Sequence, residues 1–154
     1  MAYRESRNIE ATLIDYISAQ LIVDGWSGID TEKVFANIYK NEPPGILINQ
    51  LLDDPVTLEI GSKTKIYYRI VEIRVFATSD GERLDLKDWL LEKLENDIDY
   101  YAYQTGGALA TRVLTGKINI EEILRCEKEL TNTENLEQSD KYRHLISFRC
   151  KVST

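Results

Sequence analysis

His144 is the single histidine of this 154-residue chain. A histidine acting as general base needs a nucleophile or an orienting acid beside it, and no such partner is signalled around this one. It lies on the apolar side of an alternating run, so it reads as a core or edge histidine satisfied by a local hydrogen bond. One histidine also argues against a His-rich metal site. Cys126 and Cys150 are the only cysteines, too few for a disulfide framework and at a spacing that fits no zinc pattern. They can face each other on paired strands, but the simpler expectation is two partly buried thiols. Asp53-Asp54 and Glu121-Glu122 offer the oxygen ligands a divalent cation takes, yet neither pair has calcium-loop spacing, and both read as solvated acidic surface. Gly25, Gly28 and Gly106-Gly107 stand in no phosphate-cradling pattern, and Thr115-Gly116-Lys117 is a fragment without specificity. The expectation is a protein that is not an enzyme and uses no cofactor or metal.

Composition narrows the remaining classes. Hydrophobic residues make up 43% and charged residues 29%, a globular balance. A length of 154 residues reads as one domain, 1–154, large enough to bury a core. No apolar run approaches the roughly 20 residues of a spanning helix, and residues 1–17 lack a signal-peptide layout, so the expected setting is the cytoplasm, with no membrane partner. The formal charge of -7 makes a poor grip for nucleic acid, which needs concentrated Lys and Arg. It is compatible with letting DNA pass without holding it.

The elements that would position these residues follow from periodicity. Residues 6–23 form a helix with Ser6 as N-cap; Ile9, Leu13, Tyr16, Ile17 and Leu21 share one face, and Asn8, Thr12 and Asp15 another. Gly25 and Gly28 end it, with Trp26 between them as a plug over the core or an interface anchor. Extended segments follow at 34–39, 45–51 and 65–77, with Asp53-Asp54-Pro55 as a turn between the last two. In the third, Ile73 and Val75 oppose Glu72 and Arg74, and upstream it is either buried on both faces or bulged. Ser79 and Glu82 have the spacing of a capping box and open a second helix. Its stripe is Leu86, Leu90, Leu94 and Ile98, broadened by Trp89 and Tyr101. Tyr100 to Gly116 reads as the helix end and a mobile loop. From Lys117 a strand with a bulge near Glu122 is favoured over a helix, and 131–140 is an exposed loop. In residues 142–152 the even positions from Tyr142 to Val152 face the core, Arg143, Ser147, Arg149 and Lys151 face away, and Leu145 is the exception. The order predicts an α+β fold: a single mostly antiparallel sheet, an N-terminal helix, and a second helix packed across it.

Residues 65–97, KIYYRIVEIRVFATSDGERLDLKDWLLEKLEND, resemble the tail-terminator and tail-completion (neck) proteins of long-tailed bacteriophages. The likeness lies in the long strand ending Val75-Phe76-Ala77, the 84–94 helix with Trp89, and the closing strand 142–152. It implies an assembly protein: a homo-oligomeric ring, usually of six, on the head-proximal end of the tail tube. Such a ring stops tube polymerisation and offers the head-joining surface. Its partners would be the tail-tube protein and a head-completion or connector protein, with DNA passing through a negative lumen. The expected location is the virion tail or neck, and the host cytoplasm during assembly. The runner-up is another neck or connector protein, or a small interaction module that performs no chemistry.

Charge placement suggests how subunits would meet. Arg69, Arg74, Arg143, Arg149 and Lys151 share the polar faces of long strands, too dispersed for a nucleic-acid platform. Glu92, Glu95, Asp97 and Asp99 give the second helix a negative exterior. The expected subunit interface therefore brings Arg143, Arg149 and Lys151 of one copy against Glu92 and Glu95 of the next.

Overall fold

The structure is a computed structural model and describes residues 4–26, 28–32, 44–57, 61, 65–103, 112–129 and 142–154. Its elements are α1 (Glu5–Val23), β1 (Asp30–Glu32), β2 (Gly45–Thr57), β3 (Lys65–Ala77), α2 (Asp80–Leu94), β4 (Ile98–Ala102), β5 (Val113–Lys128) and β6 (Tyr142–Ser153). The six strands make one sheet in the order β1-β2-β3-β6-β5-β4. Only β1–β2 is parallel; every other pair is antiparallel. This is the predicted α+β architecture, with both helices on one face.

α1 begins one residue earlier than expected. Arg4 holds the cap position without a side-chain cap, and Ser6 lies inside the helix. Its end is a Schellman turn: Gly25 has φ 80°, Trp26 N–H reaches Leu21 O at 2.9 Å, and Gly25 N–H reaches Ile22 O at 3.3 Å. Ile9, Leu13, Ile17 and Leu21 are buried against the sheet, as the spacing required. Asn8 and Thr12 are buried too, contrary to the polar face assigned to them. Asn8 Oδ1 accepts the Tyr103 N–H at 3.3 Å, and Thr12 Oγ1 lies 3.3 Å from both N and O of Tyr101. Those backbone groups belong to the edge of the sheet, so α1 satisfies groups that would otherwise stand bare.

α2 starts as the capping box required. Ser79 Oγ accepts the Glu82 N–H at 3.2 Å, the first half of the box, while the Glu82 carboxylate reaches one residue beyond the cap and accepts the N–H of Thr78 at 2.8 Å instead of that of Ser79. Leu86, Trp89, Leu90 and Leu94 are buried. Trp26 plugs the junction of the two helices, edge-on to Trp89 with centroids 6.3 Å apart. Ile98, though, is not on α2: four residues past Leu94 the chain is already strand β4, and Tyr100 and Tyr101 are paired with β5. The supposed loop from Tyr100 to Gly116 is therefore strand at both ends, and only 104–111 lie outside the described residues.

β2 corrects a second expectation. It runs unbroken through Asp53-Asp54-Pro55, with Asp53 opposite Arg69 and Pro55 opposite Tyr67, and carries a register shift between Gln50 and Leu52. The bulge considered for β3 is thus on its partner. β1 was not anticipated, and the segment 34–39 lies outside the described residues, as does the 131–140 loop. β5 starts earlier than Lys117 and shows two register shifts, at Ile120/Glu122 and Ile123/Arg125, so the bulge near Glu122 is present.

The core lies between the helices and Ile46, Ile48, Val71, Ile73, Val75, Ile118, Ile146, Phe148 and Cys150. On the opposite face Leu47 and Phe76 form a small buried cluster, with Arg143 stacked 5.0 Å from the Phe76 ring. Leu145, the alternation's exception, is buried on that face with Ser147.

Candidate functional surfaces

The residues with the most chemical potential come together at one end of α2. His144 is buried on β6. Its Nδ1 lies 2.6 Å from Nη1 of Arg83, and its Nε2 lies 3.4 Å from Sγ of Cys126 on β5. Arg83 is held in turn by Asp80 at 2.9 Å. A guanidinium only donates, so Nδ1 must accept, and the imidazole proton sits on Nε2, pointing at the sulfur. That tautomer cannot take a proton from Cys126. Burial, with Arg83 and Lys87 beside it, pushes the imidazole down to about 4, and burial raises the Cys126 thiol. This thiol–imidazole pair therefore lacks both the base and the thiolate that nucleophilic chemistry needs. The local hydrogen bond expected for His144 is present twice over.

Cys150 is fully buried, and burial pushes its thiol up to about 12; it sits opposite Ile120 while Cys126 sits opposite Ile146. The two thiols are free and do not face each other. Among the described residues no group of three or more His, Cys, Asp or Glu side chains is arranged to hold a metal ion.

The charged side chains chosen from sequence fall on two sides of the sheet. Arg143, Arg149 and Lys151 are on the face away from the helices. There they meet carboxylates of their own chain: Arg143 with Glu129 at 2.7 Å, Arg149 with Glu122 at 3.2 Å, and Lys151 with Glu121 at 3.4 Å. Arg74 joins the set through Glu72 at 2.7 Å and Glu129 at 2.9 Å. Antiparallel pairing of β5 with β6 sets Glu122 directly opposite Arg149, so acid and base meet across strands rather than on separate patches. Arg69 is not on that face. It is buried on the helix side, bound to Glu5 of α1 at 3.4 Å and to Asp53 at 2.5 Å. Glu92 on α2 and Glu95, its C-cap residue, are exposed, across the sheet from the β6 cations.

Two concavities were not legible in the sequence. One, about 440 Å³, lies between α1 and β4, with Asp15, Asp97, Asp99, Tyr16, Tyr101 and Arg112 in its wall. Arg112 stacks 4.2 Å from the Tyr101 ring and lies 3.6 Å from Asp15, which also accepts from the Tyr103 hydroxyl. Burial first, then Asp15, pushes that hydroxyl up to about 12. The other, about 330 Å³, runs between the C-terminal half of α2 and β5. Leu91, Leu94, Ile120 and Ile123 make its floor, and Glu95, Glu121 and Glu122 its rim. Among the described residues β4 pairs with β5 only as far as Ile118, and from Asn119 onward no described strand lies on that side. Ile123 and Leu124 are 40% and 41% exposed there.

No protein-family model matches the chain, and no curated protein matches it in sequence.

Proposed function

We propose that this protein is a structural assembly subunit of a long-tailed bacteriophage. It would form a closed ring of six copies at the head-proximal end of the tail, end tube polymerisation and present the head-joining surface. The observation that carries the reading is the layer arrangement implied by the resemblance: an N-terminal helix and a helix following a long strand, both on one face of a mostly antiparallel sheet. The chemistry of the surface agrees with it. The His144–Cys126 pair is built for packing rather than reaction, and Glu92 and Glu95 are exposed acidic positions. Unlike surfaces on one chain form head-to-tail contacts, which close into rings when the rotation permits. A net charge of -7 suits a channel through which DNA slides without adhering.

The test is made on particles. Purified tails should contain the protein at a fixed copy number near six, by absolute mass, and tails assembled without it should be overlong and headless. Tails and necks that contain none of it would overturn the proposal. A fixed copy number at the head–tail joint combined with tails of normal length in its absence would favour the connector role.

A further inference from the structure

α1 is bonded to both sides of the sheet at one level. Asn8 and Thr12 project from one side of the helix, and Glu10 from the other. On the β4 side, Asn8 Oδ1 accepts the N–H of Tyr103, and Thr12 Oγ1 lies 3.3 Å from both N and O of Tyr101. On the β2 side, Glu10 Oε1 accepts the N–H of Gln50 at 2.8 Å. In the sheet order β2 and β4 are separated by β3, β6 and β5. Across a flat sheet that separation is about 19 Å, at roughly 4.8 Å per spacing. A helix with its side chains is only about 10–12 Å across, so the sheet must curl up around α1 for both contacts to form.

The backbone groups taken by α1 are the ones an added strand would use. The N–H and C=O of one strand residue point to the same side, and Tyr101 presents both to Thr12. The Thr12 hydroxyl accepts from that N–H and donates to that carbonyl, as a residue of a neighbouring strand would. β2 is treated in the same way. β1 pairs with it only from Gly45 to Leu47. Beyond that stretch Glu10 takes the Gln50 N–H, the Gln50 side-chain amide donates to the Leu52 carbonyl at 3.0 Å, and Pro55 has no N–H to offer. Leu51 and Leu52 are 54% and 57% exposed there, so without these bonds β2 would offer a strand that is apolar as well as open.

We propose that Asn8, Glu10 and Thr12 make α1 a guard that closes β2 and β4 to strand addition, so that free copies of this chain do not join edge to edge. The contact withheld is with a second copy, through the stretch that carries Leu51 and Leu52. The inference concerns the free chain and does not depend on the ring reading.

Sedimentation of the purified full chain tests it. Glu10→Ala with Pro55→Val frees the Gln50 N–H and supplies another at position 55, and neither residue is buried. This variant should unfold cooperatively in urea, yet show a weight-average mass at least about two-fold above wild type and rising with concentration. Exchange of the Gln50 amide should slow as the mass rises. Glu10→Gln keeps the acceptor and should match the wild type, whatever assembly the wild type itself forms. Thr12→Val repeats the test at β4, with Thr12→Ser, which keeps the hydroxyl, as its control. Folded variants that keep the wild-type mass at every concentration overturn the inference. Association that leaves Gln50 exchange unchanged in the Glu10→Ala/Pro55→Val variant overturns it too, because the join then lies elsewhere.

Discussion

Nη1 of Arg83 lies 2.6 Å from Nδ1 of His144, a permanent cation placed against the ring nitrogen that would have to take up a proton. Folding therefore selects the neutral imidazole, and the consequence is a dependence of stability on pH. The ordinary histidine value is near 6.5, and in the folded chain burial, then Arg83 and Lys87, hold it down to about 4, against weaker opposition from Asp88 and Glu127. Between those values the unfolded chain binds a proton that the folded chain refuses. Stability from this site is complete above about 6.5 and declines as pH falls toward 4, with a slope of at most about 1.4 kcal/mol per pH unit. Urea unfolding at a series of pH values should show the decline, and His144→Gln should flatten it. An unchanged slope in the variant would assign the effect to other groups.

Trp89 ties the two helices together. Its indole N–H donates to Asp24 at 2.8 Å, its ring meets Trp26, and Lys93 lies 5.9 Å from its face. Lys93, at 2.7 Å, and the indole hold the Asp24 carboxyl below the usual range. Trp89→Ala should lower stability by about 3–5 kcal/mol in urea unfolding. A loss below about 1 kcal/mol would mean that the junction is not packed as described.

Gly116 and Gly81 make a matched pair. A Cβ on Gly116 would collide with the backbone carbonyl of Ser153 on β6, whereas one on Gly81 meets nothing within 4 Å. Gly116→Ala should cost about 1–3 kcal/mol through forced backbone movement. Gly81→Ala, in the first turn of α2, should add about 0.5–1 kcal/mol by restricting the unfolded chain. Thermal unfolding of the two variants side by side should give shifts of opposite sign.

Glu92 and Glu95 offer the cleanest probe of assembly, because both are exposed. Glu92→Lys with Glu95→Lys should change unfolding free energy by less than about 0.5 kcal/mol and reduce incorporation into tails several-fold. Reversing Arg143 and Arg149 is a poorer experiment, since it places like charges beside Glu129 and Glu122 in the same chain. Normal tail incorporation of the Glu92/Glu95 variant would remove the acidic face of α2 from the interface.

The elements that were legible are those whose hydrophobic period matches what the backbone does. α1, α2, β3 and β6 each keep one apolar stripe in the core, and periodicity found them within a few residues. Where side-chain spacing and backbone part company, the reading failed. Leu94 and Ile98 are both buried four residues apart, so the stripe continues across a change from helix to strand that hydrophobicity does not record. Pro55 suggests a turn, but β1 pairs with β2 only over Gly45 to Leu47. Beyond that point β2 is an edge strand among the described residues, where a missing N–H is tolerated. Asn8 and Thr12 look solvent-facing by type, and are buried because Tyr101 and Tyr103 lend them backbone partners far along the chain. Of the surface, the identity of the charged residues was visible, but not their pairing. Glu122 meets Arg149 only through the register of two strands, and the groove beside α2 exists only once β5 is laid next to the helix.

The sheet order has a kinetic consequence. β6 follows every other strand in sequence yet lies between β3 and β5, joining Arg69–Ala77 on one side to Lys117–Lys128 on the other. Before it is placed, β1-β2-β3 and β4-β5 are two separate ribbons, and neither can bury the underside of both helices. The β3–β6 pairing that unites them joins residues 65 to 81 positions apart, Val71 with Phe148 for example. Loop closure must precede the reward of such a contact, so the rate-limiting event in reaching the native state should be the insertion of a middle strand between two preformed halves.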